Sequence, residues 1–266
     1  MYETTYHRPA SVDEAAALFA KGSDSKYLAG GHTLLPVMKQ RLASPSDVID
    51  LGKIKDLVGI EPSGAGIVIK AATTHYDVAN SDAVKKAIPA LAHLASLIGD
   101  PQVRYRGTIG GSIANNDPAA DYPAAVLALG ATIKTNKRSI AADEFFKGLF
   151  TTALADGEII TAVSFPVQAK AGYSKFPNPA SRFALTGVFV AKTPAGDVRV
   201  AATGASQNGV MRVPAIEAAL KANWSAGALD SVTISTDGLL ADIHGSSAYR
   251  ANLIKVMAQR AVTAAG

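Results

Sequence analysis

The residues best suited to chemistry in this sequence lie in one stretch, Thr108-Ile109-Gly110-Gly111-Ser112-Ile113-Ala114-Asn115-Asn116-Asp117-Pro118-Ala119-Ala120-Asp121. It gathers two adjacent glycines, two hydroxyls, two asparagines and two aspartates, and an apolar segment follows it. Adjacent glycines let a backbone take positive φ and come close to a ligand. Consecutive N–H groups in such a turn form a concave nest that suits phosphate. The Asn and Asp side chains beyond them can hydrogen-bond sugar-like hydroxyls. The competing reading is a tight turn closed by a proline.

A second stretch, Leu28-Ala29-Gly30-Gly31-His32-Thr33-Leu34-Leu35-Pro36, has the same plan: an apolar entry, two glycines, then a small hydroxyl. Two such loops converging on one ligand would suit a diphosphate. Neither loop is a G-x-G-x-x-G dinucleotide fingerprint, and neither ends in the G-K-S/T of a Walker A loop. Phosphate-cradling chemistry is therefore offered without the usual Rossmann or P-loop signal.

Taken as a pair, in this order and spacing, the two stretches resemble the flavin-binding medium subunit of the molybdenum hydroxylases, a family that includes carbon monoxide dehydrogenase, xanthine dehydrogenase and the aldehyde oxidoreductases. The likeness runs from the N-terminal YHRPASVDEAAALFA to the C-terminal DIHGSSAYRANLIKVMAQRAV. It implies an α+β, non-Rossmann FAD-binding domain of the vanillyl-alcohol-oxidase (PCMH) type over 1–167, in two subdomains of about 1–55 and 56–167. A small α+β domain of the carbon monoxide dehydrogenase flavoprotein type would follow over 173–266. The implied activity is that of an oxidoreductase subunit. An iron–sulfur small subunit would pass electrons to non-covalent FAD, a molybdopterin large subunit would oxidise the substrate, and a quinone, NAD or oxygen would accept the electrons. The implied assembly is a dimer of heterotrimers. The rival readings are a self-contained flavin oxidase or reductase and a non-enzymatic diphosphate-binding module.

The resemblance also implies cofactor contacts at Leu28, Ala29, Gly30, Gly31, His32, Thr33 and Leu34, and at Thr108, Ile109, Gly110, Gly111, Ser112 and Asn115, with a further one at Ile160. Asp121 would bond flavin-side hydroxyls, cap the helix that starts near Pro123, or do both. Lys175 and Phe183 would reach the isoalloxazine; the alternative for Phe183 is ordinary core. His32 either contacts the diphosphate or only shapes its loop. His75, after two threonines, is a weaker flavin-side candidate.

Composition agrees with a globular chain long enough for two domains: 266 residues, 48% hydrophobic and 18% charged, net charge +4. Without a Lys/Arg-rich tract, nucleic acid is not an expected partner. There is no run of about 18 apolar residues to span a membrane, and no signal peptide is visible. Zero cysteines exclude disulfides, thiolate nucleophiles and Cys-ligated clusters within the chain. With no signal, a cytoplasmic location is expected. The five histidines show no metal-ligand spacing. The segment Gly204-Ala205-Ser206-Gln207-Asn208-Gly209 has one residue too many for a nucleophile elbow.

Positioning elements follow from pattern. Ser11-Val12-Asp13-Glu14 is a capping box for a helix over 15–20, stopped by Gly22. Strands are expected at 27–29 and 48–51, and at 67–71 after a Gly64-Ala65-Gly66 turn. Further strands are expected at 131–135, 159–165, 185–191, 198–203 and 232–235. Helices are expected at 76–81, 87–98, 123–129, 213–222 and 249–264, and a helical turn at 33–41 interrupted by Pro36. Residues 168–172 read as a linker.

Overall fold

The computed structural model describes residues 1–64 and 66–266; Ala65, in the expected Gly64–Gly66 turn, lies outside them. The chain opens with β1 (Thr5–His7), α1 (Val12–Phe19), β2 (Ser25–Leu28), α2 (Leu34–Lys39) and β3 (Asp47–Asp50). The three strands form a small parallel sheet in the order β1-β3-β2. Helix α1 begins where the capping box predicts: Glu14 N–H donates to Ser11 Oγ at 3.1 Å, and the Glu14 carboxylate reaches back to the N–H of Ala10. Pro36 does not interrupt α2. It sits in the first turn, where a missing N–H breaks no intrahelical bond.

A five-stranded antiparallel sheet follows, in the order β4-β5-β10-β6-β7. It is entered by β4 (Ile60–Ser63) and β5 (Gly66–Lys70). A helical run separates these from the rest: α3 (His75–Asn80), α4 (Asp82–Ala87), α5 (Pro89–Ser96), α6 (Pro101–Arg104), α7 (Ile109–Asn115) and α8 (Tyr122–Ala128). Strands β6 (Thr132–Thr135) and β7 (Ser139–Ala141), helix α9 (Ala142–Phe145), a hairpin of β8 (Phe146–Gly148) and β9 (Thr151–Thr152), and β10 (Ile160–Pro166) complete this part. Pro89 and Pro123 both fall in the first turn of their helices, as the sequence suggests.

The last part is a four-stranded antiparallel sheet of β11 (Lys170–Pro177), β12 (Ala184–Lys192), β13 (Val198–Ser206) and β14 (Gly209–Arg212), followed by α10 (Pro214–Ala222) and α11 (Ser247–Ala265). Strand β12 is buried along nearly its whole length, because α5 and α8 cover one face of the sheet and α10 and α11 the other. A sheet covered on both faces selects a continuous apolar strand rather than an alternating one. Two expectations fail here. Residues 168–172 are not simply a linker, since β11 already starts at Lys170, and 232–235 form no strand. Val232 and Ile234 instead pack as loop residues against the core under α11, a burial that pattern alone cannot separate from a strand.

The carboxylate of Glu158 joins the β6–β7 turn to the segment entering β10. It accepts from Arg138 Nε and Nη2, from Thr135 Oγ1 and from the N–H of Ala155. These donors hold its pKa at about 2, with the Arg138 hydrogen bonds first among them and burial opposing. A depressed carboxyl contributes stability above its ordinary titration range, and that stability is lost as pH falls toward the folded-state value. Glu158→Gln is therefore expected to lower stability at pH 7 by about 1–3 kcal/mol. In urea denaturation the gap from the unsubstituted chain closes as pH is lowered toward 2.

Candidate functional site

The two glycine stretches meet. Strand β2 delivers Ala29 and Gly30 to the chain just before α7, and a side chain at Gly30 would overlap the carbonyl oxygen of Arg106 and the Cα of Gly107. On the other side, a Cβ at Gly111 would stand 3.4 Å from the Cβ of Ala29. Gly31 then takes φ +79°, a conformation that L side chains rarely adopt, and turns the chain into α2.

Around that turn the backbone is left with free donors. Among the described residues, the N–H groups of Gly30, Gly31, His32, Thr33 and Leu34 meet no protein acceptor. The first bond resumes at Leu35 N–H, which donates to the carbonyl of Gly31. Five consecutive N–H groups without acceptors at a positive-φ glycine have the makings of an anion nest. The His32 and Thr33 side chains are exposed.

The second stretch is built differently from the sequence expectation. Gly110 and Gly111 do not take positive φ; they are helical, in the first turn of α7. Thr108 caps that helix, its Oγ1 accepting from Gly111 N–H at 3.1 Å. The N–H groups of Ile109, Gly110 and Ser112 donate to the carbonyls of Thr73, Ala71 and Thr108, so this segment is a satisfied helix start and not a nest. Gly110 is glycine for packing: a Cβ there would lie 2.7 Å from the Ala71 carbonyl oxygen. The N–H of His75 donates to the Gly107 carbonyl, which fastens the segment to the start of α3.

What α7 does offer is one face. Residues 111, 112 and 115 lie on neighbouring rows of a helix surface, and Gly111 marks that surface as the side against Ala29. Ser112 and Asn115 are half-buried, and among the described residues their side chains make no hydrogen bond. Ile109 and Ile160, by contrast, are packed into the core beside β5 and β10. Helix α7 ends at Asn116, in left-handed conformation at φ 44°, whose side chain donates to the carbonyls of Gly148 and Thr151.

Asp121 occupies the N-cap position of α8, but its side chain makes no capping bond. Its carboxylate, 4% exposed, accepts from Tyr173 Oη at 2.5 Å and from Lys175 Nζ at 3.0 Å. Burial pushes its pKa up, opposed by the Lys175 ammonium and the Tyr173 hydroxyl, and burial beside Asp121 drives the Tyr173 hydroxyl well above its ordinary value. Lys175 also donates to the Leu97 carbonyl at the end of α5. The structure thus brings two expected site residues, Asp121 and Lys175, onto each other. Phe183 is not core: it is 51% exposed in the β11–β12 connection. Sequence reading missed Tyr173, although it sits two positions before Lys175 and so on the same strand face.

His75 lies under the second stretch, buried against Tyr122 with ring centroids 5.4 Å apart. Burial, then the nearby charges of His32 and Arg104, lowers its pKa to about 3, so it is neutral at physiological pH. Neither its Nδ1 nor the Tyr122 hydroxyl has a partner among the described residues. No group of metal-ligating side chains occurs among the described residues, and no helix of the described residues is long and apolar enough to cross a membrane.

Comparison with known proteins gives the site a setting. Residues 2–168 match the family described as the FAD-binding domain in molybdopterin dehydrogenase. The chain is 37% identical to the nicotine 6-hydroxylase medium subunit of Paenarthrobacter nicotinovorans, covering 98% of this chain and 96% of that one. It is 36% identical to the carbon monoxide dehydrogenase medium chain of Afipia carboxidovorans, covering 97% and 94%. Among solved structures, it superposes on reconstituted CO dehydrogenase from Oligotropha carboxidovorans with a TM-score of 0.89 at 34% identity, covering 99% of this chain and 97% of that one.

The contact between the stretches is tested by adding single methyl groups. Gly30→Ala places a Cβ against unyielding backbone and is expected to destabilise by about 1–3 kcal/mol. Gly111→Ala meets only the Thr108 hydroxyl, at 3.0 Å, and the Ala29 methyl, and should cost less. Urea denaturation of the two variants side by side checks the order.

Proposed function

Because this chain belongs to the FAD-binding medium subunits of the molybdenum hydroxylases, an oxidoreductase family, we propose that its part in the reaction is to hold FAD between an electron-donating iron–sulfur subunit and a terminal acceptor. The observation that carries this reading is the run of five N–H groups from Gly30 to Leu34 without acceptors, set where the two glycine stretches touch. Those donors fit a diphosphate: they are consecutive, they flank a positive-φ glycine, and among the described residues no carboxylate accepts from them. The hydroxyl of Ser112 and the amide of Asn115, on the adjoining face of α7, fit the same ligand as hydrogen-bonding partners. Lys175, paired with Asp121, is assigned to the flavin ring, and Phe183 to its outer edge. Ile109 and Ile160 support the site from below as core.

When bound, FAD supplies one- and two-electron redox chemistry; the protein supplies binding, orientation and electrostatics. Within the chain, the N–H run would hydrogen-bond the phosphate oxygens, and the buried Asp121–Lys175 pair would set a fixed field beside the ring. The names of the relatives, medium subunits and medium chains, support an assembly with further subunits; it is proposed as a molybdopterin and an iron–sulfur subunit beside this one, paired as a dimer of heterotrimers. The cofactor unit is drawn as residues 1–167, in subdomains of about 1–55 and 56–167. The C-terminal unit is drawn from Lys170, where β11 begins.

Two outcomes are expected. Acid precipitation of the holoprotein releases all flavin into the supernatant, since the chain has no cysteine and the fit is made of hydrogen bonds; flavin left on the pellet would contradict non-covalent binding. Affinity purification of the tagged chain from its native host brings down iron and molybdenum by metal analysis. Isolation of the FAD-loaded chain alone would favour a self-contained flavoenzyme.

A further inference from the structure

Tyr173 has no place in the reading above, yet the chain is built around its hydroxyl. The side chain is almost completely buried on β11, and its Oη donates to Asp121 at 2.5 Å across 52 residues of sequence. The neighbouring strand has been cleared for it: a Cβ at Gly187 on β12 would overlap that same hydroxyl. Gly187 lies inside a long, fully covered strand, where glycine weakens the strand and packs nothing, and it does not have positive φ. Its use is therefore the space it leaves. On the same face of β11, Lys175 is 3% exposed and shares its ammonium between Asp121 and the Leu97 carbonyl.

Two donors thus share one carboxylate, and the ammonium is shared between two acceptors. The Asp121 carboxylate needs compensation for being buried, and it takes part of it from Tyr173 and part from Lys175. A buried charge that loses one partner leans harder on the next. With the hydroxyl in place, Asp121 is partly satisfied and Lys175 is left with donor capacity: an ammonium has three N–H groups.

We propose that Tyr173 is a positioning residue: by satisfying Asp121 it keeps the Lys175 ammonium available to the flavin ring, with Gly187 as the space that admits its hydroxyl. The proposal rests on the assignment of Lys175 to the flavin made above. A cation beside the ring favours the form that carries the extra negative charge of reduction. Tyr173→Phe removes the Asp121 donor, Asp121 draws the ammonium toward itself, and the field at the ring weakens. Gly187→Ala displaces the hydroxyl and acts in the same direction with the tyrosine retained.

The experiment is spectroelectrochemical titration of the flavin in the purified holoprotein, with thermal melting of each variant alongside. Tyr173→Phe, Gly187→Ala and Lys175→Met are each expected to shift the midpoint potential to more negative values. The double variant Tyr173→Phe/Lys175→Met should show no shift beyond that of Lys175→Met, because the tyrosine acts only through the lysine. If Lys175→Met shifts the potential but Tyr173→Phe only lowers the melting temperature, Tyr173 is structural and the proposal is overturned, while the assignment of Lys175 stands. If Lys175→Met leaves the potential unchanged, that assignment fails and the proposal with it. If Tyr173→Phe shifts the potential equally with and without Lys175, the route through lysine is wrong.

Discussion

The structure depends first on one close backbone approach, between Ala29–Gly30 and Arg106–Gly107, with no room for a side chain at residue 30. The small parallel sheet supplies the first partner. The helical run between β5 and β10 supplies the second. Everything that fastens the second partner, from the Thr108 cap to the bonds from Ile109 and Gly110 back to Thr73 and Ala71, serves to present a flat backbone surface there. A side chain at Gly30 would separate the two by about the width of a methyl group, a displacement that a close-packed interior does not absorb. What the approach creates is a turn at Gly31 whose N–H groups point to no protein acceptor.

A second constraint ties that site to the C-terminal sheet. Asp121 leaves the α7–α8 connection and finds its partners on β11, while Thr203 of β13 donates to the carbonyls of Pro118 and Ala120 in the same connection. Buried ion pairs are weak sources of stability, since desolvation offsets much of the Coulomb gain. A buried Asp–Lys–Tyr cluster between the start of α8 and β11 is better explained by the fixed geometry it imposes. It fastens the C-terminal sheet to the α7–α8 connection.

Much of the local structure was legible in the sequence because its determinants are local. The Ser11–Glu14 box, the first-turn prolines at 89 and 123 and the apolar runs of β10, β12 and β13 each carry their own instruction. The two glycine pairs pointed correctly to one location but misled about its chemistry. Gly110–Gly111 has the composition of a nest and is a helix start, because the Ala71 carbonyl takes up the N–H of Gly110 and the Thr108 hydroxyl that of Gly111. Asp121 read as a cap or a ligand because its partners stand 52 and 54 residues away, and no spacing rule reaches that far. The same limit hid the packing role of Gly187, which only the Tyr173 hydroxyl explains.

The central claim is that the diphosphate of FAD is held by the backbone of Gly30 to Leu34. A crystal structure of the chain with FAD tests it directly. The expected result is pyrophosphate oxygens within hydrogen-bonding distance, about 2.7–3.2 Å, of N–H groups in this run, with Ser112 or Asn115 as the side-chain partner. A pyrophosphate seated elsewhere, with these N–H groups facing only water, would contradict the account.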